Sequence, residues 1–132
     1  MAAADGLLLD THLLVWAAYD PDRLPKRAAR LIRQRSLRVV FSLASLWEVA
    51  IKASLGRGDF VVDADQLHRG LLSEGFTELP IGHAHIARVA TLPWVHRDPF
   101  DRMLVAQAMV EGLTLLSADS ALKGYGRVVR AV

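Results

Sequence analysis

Four acidic residues lie at places along the chain where an apolar segment ends or a helix begins. They are Asp10, Glu48, Asp101 and Asp119. If the fold brought their side chains together, each close pair of carboxylates would cost several kcal/mol at an effective dielectric constant of about 20, so a cation would be needed. The chain has no cysteine and no histidine at metal-ligand spacing, and an all-oxygen set of ligands selects Mg²⁺ or Mn²⁺. Because such ions activate water and stabilise the leaving oxygen of a phosphodiester, the four acids predict metal-dependent phosphodiester hydrolysis.

Each acid also has a purely structural explanation. Asp98, Pro99 and Asp101 match the first positions of a helix, where capping and the helix dipole stabilise a carboxylate by about 0.5–2 kcal/mol. For Asp98 we adopt that explanation. Glu48 could form an i,i+4 ion pair with Lys52 on an exposed face.

Asp10 and Asp119 could likewise be caps or turn residues at strand ends. The joint pattern nevertheless favours a site, because four unrelated caps need not all lie where an α/β sheet has its ligand crevice.

The elements that would position these acids alternate between strands and helices. Continuous apolar runs predict buried strands, and spacings of three and four residues predict amphipathic helices. The predicted strands are 6–10, 38–42, 114–119, a weaker 76–80 and an edge strand at 128–132, and the main helices are 11–19, 43–55, 64–73, 83–91 and 99–111. Strands that are apolar at successive positions need a sheet covered on both faces. We therefore expect an α/β fold, a three-layer sandwich with a central, mainly parallel sheet of about four to five strands flanked by helices.

The ligand crevice of such a sheet lies beyond the carboxyl ends of its strands. Asp10 and Asp119 end predicted strands, and Glu48 lies in the second turn of the helix that follows another strand. Asp101 is less simply placed. We expect that a helix antiparallel to the following strand would carry Asp101 to the wrong edge, so the prediction requires a sharp loop before residue 99 or an oblique helix.

Composition limits the classes of protein that this chain can belong to. Its 132 residues fit a single domain over 1–132, the lack of cysteine excludes a disulfide framework, and a reducing compartment is consistent with that. The first ten residues have neither a basic region nor a long apolar run, so we expect no signal peptide, no membrane contact and a cytoplasmic location. The formal net charge is only +2, but basic residues cluster between 23 and 38. Arg27 and Arg30 within that cluster could contact a polyanion.

Four further residues flank the acids. Thr11 and Ser117 are small hydroxyls that could bind a metal-associated water or a phosphate, or could equally be caps. For His12 and His96 we favour a structural role over contact with a substrate. No glycine-rich phosphate loop or serine-hydrolase motif is present.

Three ordered segments carry a resemblance to a known family. The chain contains, in this order between residues 7 and 119, LLLDTHLLVWA, SLASLWEVAIKASLGRGDF and LPWVHRDPFDRMLVAQAMVEGLTLLSAD. They resemble the PIN-domain nucleases, and among these the VapC toxins of bacterial toxin–antitoxin pairs. The segment 57–95 matches less distinctly.

The resemblance implies roles for particular residues. Asp10, Glu48, Asp101 and Asp119 would be the catalytic acids, with Asp10, Asp101 and Asp119 as metal ligands and Asp98 as an accessory acid. It further implies an endoribonuclease that depends on Mg²⁺ or Mn²⁺, an RNA substrate, a cognate antitoxin and a homodimer. Arg27 and Arg30 would then bind RNA or the antitoxin.

Two other functions compete with this one. A phosphoryl-transfer or phosphatase domain would use the aspartate at the end of the first strand as nucleophile, but such folds generally need a second acid two residues later, where this chain has His12. A PIN-like module that binds RNA or protein without catalysis would be expected to lack one of the four acids, and none is missing.

Overall fold

The structure is a computed structural model that describes residues 6–56 and 62–132. Residues 57–60, the end of the second resembling segment, lie outside the described residues. The strands are β1 (Gly6–Leu9), β2 (Arg38–Ser42), β3 (Thr77–Leu79), β4 (Thr114–Ser117) and β5 (Val129–Ala131). The helices are α1 (Thr11–Tyr19), α2 (Lys26–Ile32), α3 (Leu43–Ser54), α4 (Ala64–Ser73), α5 (His83–Val89) and α6 (Pro99–Glu111), with 3-10 helices at Pro21–Arg23 and Ser120–Tyr125.

The five strands form one sheet in the order β3-β2-β1-β4-β5, and every neighbouring pair is parallel. The predicted α/β fold with a central parallel sheet is therefore confirmed. The chain first builds the sheet from β1 towards β3 and then continues on the other side of β1 with β4. The strand order thus reverses between β1 and β4, which is where open parallel sheets have their ligand crevice.

Apolar side chains project from both faces of the sheet and form two hydrophobic cores. Leu7 and Leu9 of β1 pack with α1, α2 and α4 on one face, and Leu8 packs with α6 on the other. All three leucines are essentially inaccessible to water. Burial of a leucine side chain stabilises the fold by about 1.5–3 kcal/mol, and this alternation within a continuous apolar strand produces the three-layer sandwich.

Helix α6 runs antiparallel to β4, and this direction is what carries Asp101 to the site. Only Gly112 and Leu113 separate the helix from the strand, so the helix ends near the amino edge of the sheet and begins near the carboxyl edge. Gly112 has φ of +68°, the left-handed conformation that ends a helix with little strain in glycine. The expectation that an antiparallel helix would misplace Asp101 is wrong, because a helix that precedes a strand in a parallel sheet starts at the edge where that strand ends.

Side-chain caps mark the starts of α3 and α4. Ser42 accepts a hydrogen bond from the backbone N–H of Ala44, and Asp63 accepts from those of Asp65 and Gln66. The ends of β1 and β4 come slightly earlier than predicted, because Asp10 and Asp119 act as caps of the helices that follow. In the described part of the chain, no helix is both long and apolar enough to cross a bilayer.

Candidate active site

A cavity of about 460 Å³ opens at the carboxyl edge of the sheet, beside the reversal point between β1 and β4. Most of the residues singled out in the sequence line it. They are Asp10, Thr11, Glu48, Asp98, Asp101 and Asp119. Ser117 lies directly behind Asp10, whereas Arg27 and Arg30 are exposed on α2 and are not among the described residues lining the cavity.

Asp10 is the most deeply held acid, with its carboxylate fixed on both oxygens. Oδ1 accepts a hydrogen bond from the backbone N–H of Leu13 at 2.9 Å, which caps α1. Oδ2 accepts from the Ser117 hydroxyl at 2.7 Å and from the backbone N–H of Ala118 at 3.0 Å, which ties the end of β1 to the end of β4. Burial raises the pKa of Asp10 above its usual value, even though these hydrogen bonds and His12 act in the opposite direction.

Glu48 is held between a hydroxyl and an ammonium group. Its Oε1 accepts from the Thr11 hydroxyl and its Oε2 from Lys52 Nζ, each at 2.7 Å. The Thr11 oxygen also lies 3.0 Å from Ser45 Oγ. The ion pair with Lys52 therefore exists, but not on an exposed face, because Glu48 is only 4% exposed.

At the start of α6, Asp98 caps the helix, whereas Asp101 in the first turn faces the cavity. Asp98 Oδ1 accepts from the backbone N–H groups of Phe100 and Asp101, which confirms its predicted capping geometry. Asp101 instead faces the cavity, with a side chain that is 21% exposed. Burial first, and then the charges of Asp98, Asp10 and Glu48, raise the pKa of Asp101 to about 7, while His96 lowers it.

Asp119 caps the 3-10 helix through Oδ1, which accepts from the backbone N–H of Ala121, and turns Oδ2 towards His96. His96 Nε2 lies 3.1 Å from Asp119 Oδ2 and 3.7 Å from Asp101 Oδ2. The sequence favours a structural role for His96 and shows no histidine at metal-ligand spacing, so it does not predict this contact. The contact joins residues 23 positions apart in the chain, and no local sequence pattern predicts it.

The hydrogen bonds of His96 define where its ring proton lies. Nδ1 accepts from the backbone N–H of Asp98 at 3.1 Å, and a nitrogen that accepts carries no proton. The neutral ring therefore holds its proton on Nε2, which donates to the carboxylate of Asp119. His96 in this state is a hydrogen-bond donor to Asp119 rather than a metal ligand.

Arg102 fixes the loop that carries His96. Its guanidinium donates to the carbonyl oxygens of Val89, Leu92, Pro93 and His96 and to the Tyr125 hydroxyl. The Tyr125 oxygen in turn accepts the backbone N–H of His96 at 3.1 Å. Arg102 is only 4% exposed, so its charge is satisfied by these oxygens inside the protein.

The donor set at the cavity fits a hard divalent cation. Asp10, Asp101 and Asp119 offer carboxylate oxygens, and one oxygen each of Asp101 and Asp119 lies within 4.8 Å of the other and of a His96 nitrogen. Burial raises the pKa of Asp10, and burial together with the neighbouring carboxylates raises the pKa of Asp101, so negative charge is crowded at this cavity. Oxygen ligands with this excess of negative charge suit Mg²⁺ or Mn²⁺.

The parallel sheet and the acids at its reversal point define an α/β protein with an acidic site at the carboxyl edge. The model of the PIN domain family matches residues 7–128, so the chain belongs to the PIN domain family. Comparison with curated proteins gives no match in sequence.

Several solved structures share this fold at low sequence identity. A chain of VapBC2 from Rickettsia felis, bound to a DNA fragment from its promoter, has a TM-score of 0.71 at 13% identity, over 96% of this chain and 98% of that one. A toxin–antitoxin complex from Klebsiella pneumoniae gives 0.64 at 18%, over 95% and 96%. VapBC-1 from nontypeable Haemophilus influenzae gives 0.61 at 17%, over 96% and 97%. The predicted resemblance to PIN domains of the VapBC type is thus confirmed at the level of fold.

Proposed function

We propose that this chain is an endoribonuclease that depends on Mg²⁺ or Mn²⁺ and acts as the toxin of a toxin–antitoxin pair. The observation that carries the proposal is the meeting of Asp10, Glu48, Asp101 and Asp119 in one cavity, although they come from four separate parts of the chain. Helix capping accounts for the hydrogen bonds to one carboxylate oxygen in some of these acids. It does not explain why the four acids share a cavity at the reversal point of the sheet.

In this proposal Asp10, Asp101 and Asp119 hold the ion. A bound Mg²⁺ or Mn²⁺ supplies Lewis-acid chemistry, since it lowers the pKa of water and offsets negative charge on the phosphate oxygens. Ser117 and the backbone N–H groups around Asp10 keep that carboxylate in one orientation, so little of its freedom is lost when a ligand binds.

The remaining polar residues act on water and on the position of the acids. Glu48, oriented by Thr11 and Lys52, accepts a hydrogen bond from the attacking water. Asp98 keeps the first turn of α6 in place and so fixes Asp101, and His96 donates to Asp119. Each of these groups is held by a second residue, and this favours catalysis by preorganisation.

The test is cleavage of a labelled single-stranded RNA by the purified chain with Mg²⁺, with Mn²⁺ and with EDTA, beside a DNA strand of the same sequence. We expect cleavage of the RNA with either metal and none with EDTA. Asp101→Asn should reduce the rate at least 100-fold, because the amide keeps the helix start but removes a charged ligand. Asp65→Asn is the matched control, since Asp65 is also in the first turn of a helix but is exposed.

Cleavage that persists in EDTA or in Asp101→Asn would contradict the proposal. Selective cleavage of the DNA strand would contradict the choice of RNA. If the folded chain binds RNA without cutting it under any of these conditions, the silent binding module becomes the better description.

The proposed partners are a cognate antitoxin and a second copy of this chain. The similar structures described as VapBC or toxin–antitoxin complexes support the first. A small reading frame beside the coding sequence should relieve growth arrest when co-expressed with the chain, and light scattering should give the mass of a dimer. Charge reversal at Arg27 and Arg30 tests whether these exposed residues bind RNA or the antitoxin, because only the affinity for the true partner should fall.

A further inference from the structure

Two buried hydroxyl groups lie behind Glu48, and one of them, that of Ser45, has no part in the proposed catalytic roles. Thr11 is the first residue of α1, and Ser45 lies in the first turn of α3, three residues before Glu48. Both hydroxyl residues are at most 2% exposed. Because β1 and β2 are parallel neighbours, the helices that follow them begin side by side at the carboxyl edge. The Thr11 side chain therefore meets the face of α3 that Ser45 and Glu48 share.

The distances around the Thr11 hydroxyl define where its proton lies. Its oxygen is 2.7 Å from Glu48 Oε1 and 3.0 Å from Ser45 Oγ. A hydroxyl carries one proton and two acceptor lone pairs, so Thr11 can donate in only one of these contacts. The proton goes to Glu48, because a hydrogen bond to a carboxylate is shorter and stronger than one between two neutral hydroxyls. Ser45 therefore donates to Thr11 in the other contact.

The three groups form a directed chain of hydrogen bonds from Ser45 through Thr11 to Glu48, which we name the hydroxyl relay. The bond that Thr11 accepts polarises its own O–H group and so strengthens the bond that it donates. The same bond restricts rotation of the Thr11 hydroxyl. Lys52 Nζ holds the other oxygen of Glu48 at 2.7 Å, so the relay and the ion pair together fix both carboxylate oxygens.

The relay decides between the two roles that the sequence allows for Thr11. Its hydroxyl could bind a metal-associated water or a phosphate, but its single proton is already donated to Glu48. Thr11 therefore has no proton to donate to a phosphate oxygen. Ser45 is not among the described residues that line the cavity, so it would influence a ligand there only through Thr11.

We propose that Ser45 is a positioning residue, which fixes the carboxylate of Glu48 towards the attacking water by way of Thr11. This inference rests on the proposed ribonuclease function. Because the relay orients a catalytic group and does not contact the RNA, its loss should lower kcat and leave KM nearly unchanged.

The first experiment compares the rates of RNA cleavage in Mg²⁺ by single and double variants. Thr11→Val removes the donor to Glu48 with little change in shape and should lower kcat about tenfold. Ser45→Ala leaves that donor without support and should lower kcat about threefold. The double variant should be no slower than Thr11→Val, because Ser45 acts only through Thr11. Independent effects would instead multiply to about 30-fold.

Two control variants separate the relay from a general effect on folding. Thr11→Ser keeps the hydroxyl and should retain most of the parent kcat. Ser54→Ala removes a hydroxyl of the same helix that is exposed and donates to the backbone oxygen of Ile51, so kcat and KM should not change. Urea unfolding measures the folded fraction of every variant, and rates are compared per folded molecule.

The second experiment tests the direction of the hydrogen bonds without metal or RNA. In EDTA, the Thr11 hydroxyl proton should exchange slowly with water and resonate downfield in a ¹H spectrum, since it is buried and bound to a carboxylate. Glu48→Gln should move this signal upfield, and Ser45→Ala should move it less. A signal that responds only to Ser45→Ala would show that Thr11 donates to Ser45, and this would overturn the relay.

The outcomes separate this inference from the function on which it rests. Multiplying effects of Thr11→Val and Ser45→Ala on kcat would overturn the inference. So would a rise in KM at constant kcat in Thr11→Val, which would favour contact between Thr11 and a phosphate. If the unmodified chain cuts RNA and Ser45→Ala cuts it equally fast, only the positioning role fails. If the unmodified chain does not cut RNA, the proposed function fails and the positioning role fails with it.

Discussion

At the scale of single residues, the clearest property of the site is the crowding of its carboxylates. Asp101 lies among Asp98, Asp10 and Glu48 in a partly buried cavity, and these surroundings raise its pKa to about 7. Most aspartates in proteins are stabilised as anions, whereas here the metal-free fold favours the protonated acid at mildly acidic pH. The site therefore reduces the stability of the chain near neutral pH.

This crowding predicts an unusual dependence of stability on pH. Between about pH 4 and pH 7 the folded chain retains a proton on Asp101 that the unfolded chain has released, so the free energy of unfolding falls as pH rises through this window. Asp101→Asn should remove that part of the decline. Urea unfolding in EDTA should show the parent losing about 2 kcal/mol relative to the variant between pH 5 and pH 8. Parallel pH profiles for the parent, Asp101→Asn and the control Asp65→Asn would contradict the prediction.

His96 gives a second prediction at this scale. Because Nδ1 accepts from the backbone N–H of Asp98, the neutral ring should be the Nε2–H tautomer. A long-range ¹H–¹⁵N spectrum of the labelled chain at pH 8 should show this tautomer, and it should persist when Mg²⁺ is added. His96→Gln identifies the signal by its loss. A change to the Nδ1–H tautomer on addition of the metal would show that Nε2 had become a ligand.

At the scale of elements, the site depends on how α6 and the loop before it are joined. The helix supplies Asp101 from its first turn, and Arg102, one residue later, points the other way and binds the loop that carries His96. One turn of helix thus sets the positions of an acid and of the histidine that contacts it. The Tyr125 hydroxyl connects the same loop to the 3-10 helix after Asp119.

Loss of the Arg102 guanidinium should destabilise the fold more than loss of an exposed arginine. Arg102→Met would leave four carbonyl oxygens and the Tyr125 hydroxyl without their donor in a buried place. We expect a decrease of about 2–4 kcal/mol in the free energy of unfolding, measured with urea. Arg102→Lys should recover little, since one ammonium group cannot reach all these oxygens. The exposed Arg97→Met is the control, and an equal effect of both Met variants would refute the assignment.

At the scale of the whole molecule, the fold joins two cores and one charged cavity through a single parallel sheet. The apolar side chains of β1 hold helices on both faces, while the residues after β1 and β4 turn their polar groups to the carboxyl edge. A ligand that offsets the charge of this cavity should therefore stabilise the entire fold, because it binds the folded chain and not the unfolded one.

Mg²⁺ should raise the thermal unfolding midpoint, and the size of the rise should depend on pH. Protons compete with the metal for Asp101, whose pKa is about 7, so the shift should be larger at pH 8 than at pH 6. At 100 times the dissociation constant the stabilisation would be about 2.7 kcal/mol. Differential scanning fluorimetry with Mg²⁺ and with EDTA measures it. Asp101→Asn should remove most of the shift at both pH values, and equal shifts in parent and variant would contradict metal binding by Asp101.

The sequence by itself determined the elements and the candidate acids. Ser42, Asp98 and Gly112 mark helix ends through interactions within a few residues, and such local rules hold in any surroundings. Continuous apolar strands required a sheet covered on both faces, so the parallel α/β fold also followed from local pattern.

Only the tertiary structure decided which strands became neighbours and what the site contains beyond its acids. The placement of β4 beside β1 brings Ser117 to Asp10 across 107 positions, and the chain path sets His96 against Asp119. The same path buries Glu48 and turns Arg23 rather than Arg27 to the cavity. These contacts join distant residues whose types allow many other partners, and packing of the whole chain selects among them, so no local pattern could have predicted them.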